Sequence, residues 1–298
     1  MTRQLVFIHG RAQENLNATE LKAEWVDAFR KGLRKNGLTL PIQDADIRFP
    51  YYGQTLYDLV KGKPASEVAQ VIVRGDDTNE REAEFIRAVL LEIQAQKGIT
   101  DAQVQELANT IITERGVLNW GWVQTVMTAL DTYIPGASST SVSLATRDVY
   151  LYLTNLGFQN LIDNGVRAAF TPGVETVVVG HSLGAVVSYS LLRRDGKALG
   201  WKVPFYVTLG APLAVRVIRD ALSPINHPAC VSKWFNAMDE RDVVALYPLD
   251  AAHFPVTPAI ENKTNVDNPT ENRHGISGYL SDAVVAKRIY DALTAPAT

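Results

Sequence analysis

Apolar residues along this chain alternate between short unbroken runs and longer stretches with helical spacing. The first run, at 4–10 (QLVFIHG), sets four apolar residues in a row, two of them β-branched, and stops at a glycine. That is the pattern of a buried strand. Asn17 and Glu20 then stand at capping-box spacing, followed by Leu21, Trp25, Ala28, Phe29 and Leu33 at helical intervals, and Asn36-Gly37 closes the helix. A strand is predicted at 44–53 (DADIRFPYYG). It completes a β-α-β unit, because a helix of that length is what a parallel crossover needs.

The same alternation resumes later. Strands are expected at 175–180 (ETVVVG), 204–210 (PFYVTLG) and 230–238 (CVSKWFNAM), with another after His253. Between them, Leu183, Val186, Val187 and Leu191 repeat at helical spacing, and so does 213–222 (LAVRVIRDAL); residues 276–295 read as a final amphipathic helix. The predicted fold is α/β, a doubly wound, mainly parallel sheet of about six strands.

Residues 54–174 exceed a plain crossover, which takes roughly 25 to 35 residues. Three helical patterns lie there: Ile86, Val89, Leu90 and Ile93; then Val104, Leu107, Ala108 and Ile111 behind a Thr100–Gln103 capping box; then Val123, Val126, Met127 and Leu130. A small-residue loop is expected at 133–143 (YIPGASSTSVS), with another helix beginning in 145–156. The expectation is one α/β domain spanning residues 1–298, with a helical cap inserted at about 76–145.

Composition narrows the class. A formal net charge of -3 leaves none of the basic excess that nucleic-acid binding requires. The apolar run before His9 is too short for a signal-peptide core, so a cytoplasmic location is expected. The single cysteine, Cys230, has no partner for an internal disulfide and reads as a small buried residue.

The most apolar stretch, 174–192 (VETVVVGHSLGAVVSYSLL), has the look of a membrane span until its polar positions are counted. Glu175 and His181 would each be costly in a bilayer, about 2.5 to 3.5 kcal/mol for a charge at the centre. Strand, turn, helix is the cheaper arrangement. Gly180, His181, Ser182, Leu183 and Gly184 then form G-x-S-x-G between a buried strand and an amphipathic helix, the setting in which this pattern carries chemistry. The turn is so tight that Gly180 and Gly184 must lack side chains. It holds the Ser182 hydroxyl above the sheet and leaves the Leu183 amide at a helix N-terminus, where a donor can stabilise an oxyanion. A second amide should follow the first strand: Gly10 lets the backbone approach closely, and the Arg11 amide is the candidate.

A serine hydroxyl needs a base, and the base an orienting acid, expected in the order Ser, Asp or Glu, His. The stretch 239–249 (DERDVVALYPL) offers Asp239, Glu240 and Asp242 at a strand end, with Asp250 further out. Asp239, at the start of the loop, is expected to bind amides of its own turn. Of the histidines beyond, His253 has apolar neighbours and reads as packed, whereas His274 lies in a polar, Gly-containing loop before the last helix. His9 and His181 are expected near the site in scaffold roles, and His227 has no assigned task.

Five motifs in order, FIHG at 7–10, GHSLG at 180–184, LGAPL at 209–213, DERDVVALYPL at 239–249 and RHGISGYL at 273–280, resemble the α/β-hydrolase superfamily, in particular its lipase and esterase branch. The resemblance spans both ends of the chain but not the insertion. It implies that Ser182 attacks an acyl carbonyl, that His274 accepts and returns the proton, that Asp242 orients the imidazole, and that no metal or organic cofactor takes part. The insertion carries Trp120, Trp122, Met127 and Tyr133, which suit either a lipid-facing lid hinged at the Ser-rich loop or plain packing onto the sheet. The expected partner is a small-molecule or lipid ester, with peripheral membrane contact through the cap. Alternatives are an amidase or thioesterase on the same residues, an inactive interaction or membrane-targeting module, and a partner-regulated phospholipase.

Overall fold

A computed structural model describes residues 3–10, 17–52, 80–108, 120–135 and 137–296. Six strands form one sheet, all neighbours parallel: β1 (Gln4–Ile8), β2 (Ile47–Arg48), β3 (Thr176–His181), β4 (Tyr206–Leu209), β5 (Trp234–Ala237) and β6 (Glu261–Lys263). Their order in space is β2-β1-β3-β4-β5-β6. The chain leaves β1 towards one edge to build β2, then returns to the other side of β1 to build β3. Reversals of this kind open a crevice at the carboxyl ends of the flanking strands, where open α/β sheets bind their ligands.

Side chains alternate across the sheet as the period of two requires. Leu5, Phe7, Val177 and Val179 point to one apolar cluster with helix α1 (Ala18–Arg34) and the C-terminal helices. Val6, Ile8 and Val178 point to a second cluster, which takes in the helix after β3 and the helices of the insertion. Both faces are therefore covered, which is why the strands read as continuous apolar runs.

Several boundaries differ from the sequence pattern. The strand expected at 44–53 is reduced to Ile47–Arg48, preceded by a 3-10 turn at Asp44–Asp46. Pro50, with no amide to donate, stops pairing at this sheet edge. Residues 213–222 split into a 3-10 turn at Pro212–Ala214 and a helix at Arg216–Ala221. The C-terminal helix is broken into Ile276–Leu280 and Ala283–Thr294, because the Asp282 side chain accepts from the amides of Val284 and Val285 and starts a new helix.

In the insertion, helices run at Glu80–Gln96 (α2), Asp101–Leu107 (α3), Trp120–Tyr133 (α4), Ser139–Thr154 (α5) and Leu156–Arg167 (α6). The Thr100–Gln103 capping box is present. The Ser-rich segment expected as a loop and hinge is largely helical: Ser138 accepts from the amide of Ser141 and caps α5. Asn155, accepting from the amide of Phe158, ends α5 and begins α6, a break that apolar spacing does not reveal. Trp122 and Met127 are buried in the cluster that also covers the sheet, which agrees with packing rather than a lipid-facing surface. The side chain of Trp120 and the position of Ile111 lie outside the described residues.

The helix after β3, α7 (Leu183–Arg194), starts hard against the end of β1: a Cβ on Gly184 would lie 2.0 Å from the carbonyl oxygen of Ile8 and 2.6 Å from that of His9. An ordinary helical Gly→Ala change stabilises by up to about 1 kcal/mol. Gly184→Ala should instead cost about 3 kcal/mol or more, since backbone must move on both sides. Urea unfolding of the variant measures this, and a stability equal to or above that of the parent would contradict the contact.

Candidate active site

The turn from β3 into α7 places Ser182 at the N-cap with φ 54° and ψ -124°. Serine at an N-cap normally accepts from a first-turn amide, worth about 1 kcal/mol, yet here no such bond forms. A left-handed non-glycine residue costs a further 1–3 kcal/mol or so. Ser182 and Arg273 are the two non-glycine residues with positive φ among those described, and both adjoin this crevice. The turn is possible because Gly10 and Gly180 present no side chains: a Cβ on Gly10 would sit 2.9 Å from Ser182 Cβ, and one on Gly180 would sit 2.7 Å from the carbonyl oxygen of Gly184. Leu183, buried, supplies the first amide of the uncapped helix. Arg11 lies outside the described residues.

Beyond β5, Asp242 is fully buried. Its Oδ1 accepts from the amides of Val244 (2.8 Å) and Ala245 (3.3 Å), and its Oδ2 accepts from His274 Nδ1 at 2.7 Å. With Nδ1 carrying the proton that bridges to the carboxylate, the neutral imidazole holds its lone pair on Nε2. That nitrogen is buried and has no hydrogen-bond partner. Asp239 is engaged elsewhere: Oδ1 accepts from the amide of Arg241 and Oδ2 from that of Asn268, with the Arg241 guanidinium at 2.9 Å. Burial alone would raise its pKa, but Arg241 and these amides outweigh burial and lower it. Asp250 instead pairs with His253 at 2.8 Å on a half-exposed loop, where the imidazole stacks on Tyr247.

The histidine loop is held from several sides. His181 Nε2 donates to the His274 carbonyl at 2.8 Å, and the two rings lie 4.8 Å apart. Asn268 Nδ2 donates to the Gly275 carbonyl, and Asn272 Oδ1 accepts from the His274 amide. The insertion takes part: Asn272 Nδ2 donates to Ser141 Oγ at 2.9 Å, Lys97 Nζ to the Glu240 carbonyl at 2.6 Å, and Glu92 accepts from the Arg216 amide. Ser141 of α5 thus holds the loop that carries the imidazole, Lys97 just past α2 the loop that carries the acid, and Glu92 of α2 the helix after β4.

On the other wall, the Tyr52 amide donates to His9 Nε2 at 3.2 Å, so Nδ1 bears the proton and donates to the Gly10 carbonyl at 2.6 Å. Tyr52 stacks on the His9 ring, and its hydroxyl donates to the His9 carbonyl. His9 thus fixes the backbone that faces Ser182. Sequence reasoning found Ser182, Asp242 and His274 as candidates but not Tyr52, Gly210 or Tyr279. A Cβ on Gly210 would lie 3.2 Å from His274 Nδ1, and the Tyr279 hydroxyl donates to Asp242 at 2.6 Å. Gly210 is visible in LGAPL only as a strand end, and a buried tyrosine in a short helix resembles any core aromatic.

Among the described residues, no three His, Cys, Asp or Glu side chains converge as a metal site, and no helix is long and apolar enough to cross a membrane. Comparison with family models, curated proteins and solved structures gives no match to this chain.

Burial lowers the pKa of His9 to about 4, with the Gly10 carbonyl opposing the shift only in part. His181 is pushed well below its ordinary value by burial first and by neighbouring His274 second. Between pH 6.5 and 4 the unfolded chain therefore binds more protons than the folded one, and stability falls as pH falls. His9 alone accounts for roughly 3 kcal/mol over this window. Urea unfolding at stepped pH should show that decline, and His9→Asn should flatten it; an unchanged slope would contradict a buried neutral His9.

Proposed function

We propose that this protein is a serine hydrolase with an α/β-hydrolase fold that cleaves carboxylic esters through an acyl-enzyme. The observations that carry the reading are a serine held in a strained turn with its capping bond unused and a buried imidazole, packed on the adjacent His181, whose Nδ1 is bound to a carboxylate and whose Nε2 makes no hydrogen bond, to Ser182 Oγ or to any other group. Strain of this kind persists where the surroundings over-determine it, and such places are functional sites.

In this mechanism Ser182 Oγ attacks the acyl carbonyl while His274 Nε2 takes its proton. Asp242 holds the imidazole in the required tautomer and stabilises the imidazolium. The Leu183 amide, with that of Arg11, receives the oxyanion. His274 then protonates the leaving alkoxide, and water, activated by the same imidazole, releases the acid. No metal or cofactor is required by these steps.

An apolar acyl group is what the resemblance of the five motifs to lipases and esterases favours; the apolar recess beside the acid is too small to receive one, and neither Ser182 nor His274 lines it. Val89 and Ile93 of α2, Val149 of α5, Val215, Val243 and Val244 line it, and Val244 also donates its amide to Asp242. The lipase and esterase reading, extending to phospholipase, rests on the five sequence motifs.

Wild-type protein should hydrolyse p-nitrophenyl esters, with kcat/KM rising from acetate to medium chains, and Ser182→Ala should lose at least about 10³-fold. Equal turnover by the two proteins would end the hydrolase reading. A preference for acetate would end the apolar-acyl reading alone.

A further inference from the structure

Tyr279 lies in the one-turn helix Ile276–Leu280, five residues after His274, and is fully buried. Its hydroxyl oxygen accepts from the Asp239 amide at 3.2 Å and its proton goes to Asp242 Oδ2 at 2.6 Å. The direction is forced, because an amide can only donate and a carboxylate only accepts. The same Oδ2 receives His274 Nδ1 at 2.7 Å. Two donors therefore share one oxygen, while Oδ1 is occupied by the amides of Val244 and Ala245. Burial first, and the nearby Asp242 charge second, push the Tyr279 pKa well above its ordinary value, so the phenol keeps its proton.

Building on the acyl-transfer reading for its catalytic consequence, we propose that Tyr279 is a positioning residue that tempers the basicity of His274 by sharing the carboxylate oxygen that faces the imidazole. A hydrogen bond to an ionised carboxylate withdraws charge from it and stabilises that charge where it lies. Less negative potential then reaches the imidazole, and the imidazolium is stabilised less than it would be by Asp242 alone. The phenol also pins the carboxylate oxygen that the His274 bond uses.

The side chains of the other charged and titratable groups around these residues have partners other than the phenol. From β3 comes His181, held neutral by burial. From the acid loop come Asp239 and Arg241, which pair with each other, Arg241 also with Asp267. Lys97, beyond the end of α2, is bound to the Glu240 carbonyl, and Arg273 donates to the Asn268 carbonyl. A shift in His274 on changing Tyr279 is therefore assignable to the phenol.

The test is an NMR titration of ¹³C-labelled histidine in the whole, substrate-free protein, with the His274 resonance assigned by its loss in His274→Asn. Tyr279→Phe should raise the His274 midpoint by about 0.5–1 pH unit, and 3-fluorotyrosine placed at 279, a stronger donor, should lower it. The acid limb of kcat/KM for ester hydrolysis should move in the same directions, with kcat down roughly 10-fold in Tyr279→Phe and KM unchanged. A purely structural Tyr279 would lower the melting temperature and leave the midpoint where it was, which overturns the proposal. If Tyr279→Phe does not fold, the fluorotyrosine protein decides: an unmoved midpoint overturns the proposal. Shifted midpoints in a protein that hydrolyses no ester would instead remove the acyl-transfer reading and keep the hold on His274. Ester hydrolysis with unmoved midpoints would remove the Tyr279 role alone.

Discussion

The backbone from β3 into α7 passes so close to the end of β1 that residue 184 cannot carry a Cβ, and it folds so tightly onto its own helix that residue 180 cannot either; everything around the crevice depends on this turn. With Gly184 against the carbonyls of Ile8 and His9, the helix starts directly beside the reversal in strand order between β1 and β3. The residue at the turn is then forced to positive φ, and it is a serine rather than a glycine. The strain, the unused cap and the nearness of Gly10 are consequences of one steric fact.

Three histidines around this turn illustrate how burial and hydrogen bonding divide roles among like residues. His9 and His181 are held neutral by burial, and both serve backbone: His9 ties the Gly10 carbonyl to the Tyr52 amide, and His181 donates to the His274 carbonyl. His274 alone of the three has a carboxylate on one nitrogen and nothing on the other. A neutral imidazole with one committed donor and one free lone pair is the form a general base takes. The two scaffold histidines keep that imidazole and the facing β1 backbone in place without competing for the proton.

Much of this was legible before any coordinates. Unbroken β-branched runs marked the strands because both sheet faces are covered, and GHSLG marked the turn because so few side chains fit there. What escaped the sequence was of two kinds. Side-chain caps at Ser138, Asn155 and Asp282 set helix ends that apolar spacing cannot locate, so an expected hinge loop became the start of α5 and one expected terminal helix became two. Long-range contacts were the other kind: Tyr279 reaches Asp239 and Asp242 across almost forty residues, Tyr52 reaches His9, and Ser141 of the insertion reaches Asn272. Asp239 and Asp242 differ in sequence only by three positions, and it is the paired Arg241 and the Asn268 amide that commit the first to its own loop.

The insertion, read from sequence as a cap, is tied to the histidine loop through α5 and to the acid loop through Lys97 just past α2, so it helps to hold these loops as well as cover the sheet. In the proposed reaction Ser182 is a nucleophile made reactive by His274 and Asp242. The most direct measurement is the rate at which a fluorophosphonate probe labels the folded protein, with the modified residue found by peptide mass mapping. A single adduct on Ser182 is expected, with a labelling rate that collapses in His274→Ala. No adduct, an adduct elsewhere, or labelling as fast without the imidazole would contradict it.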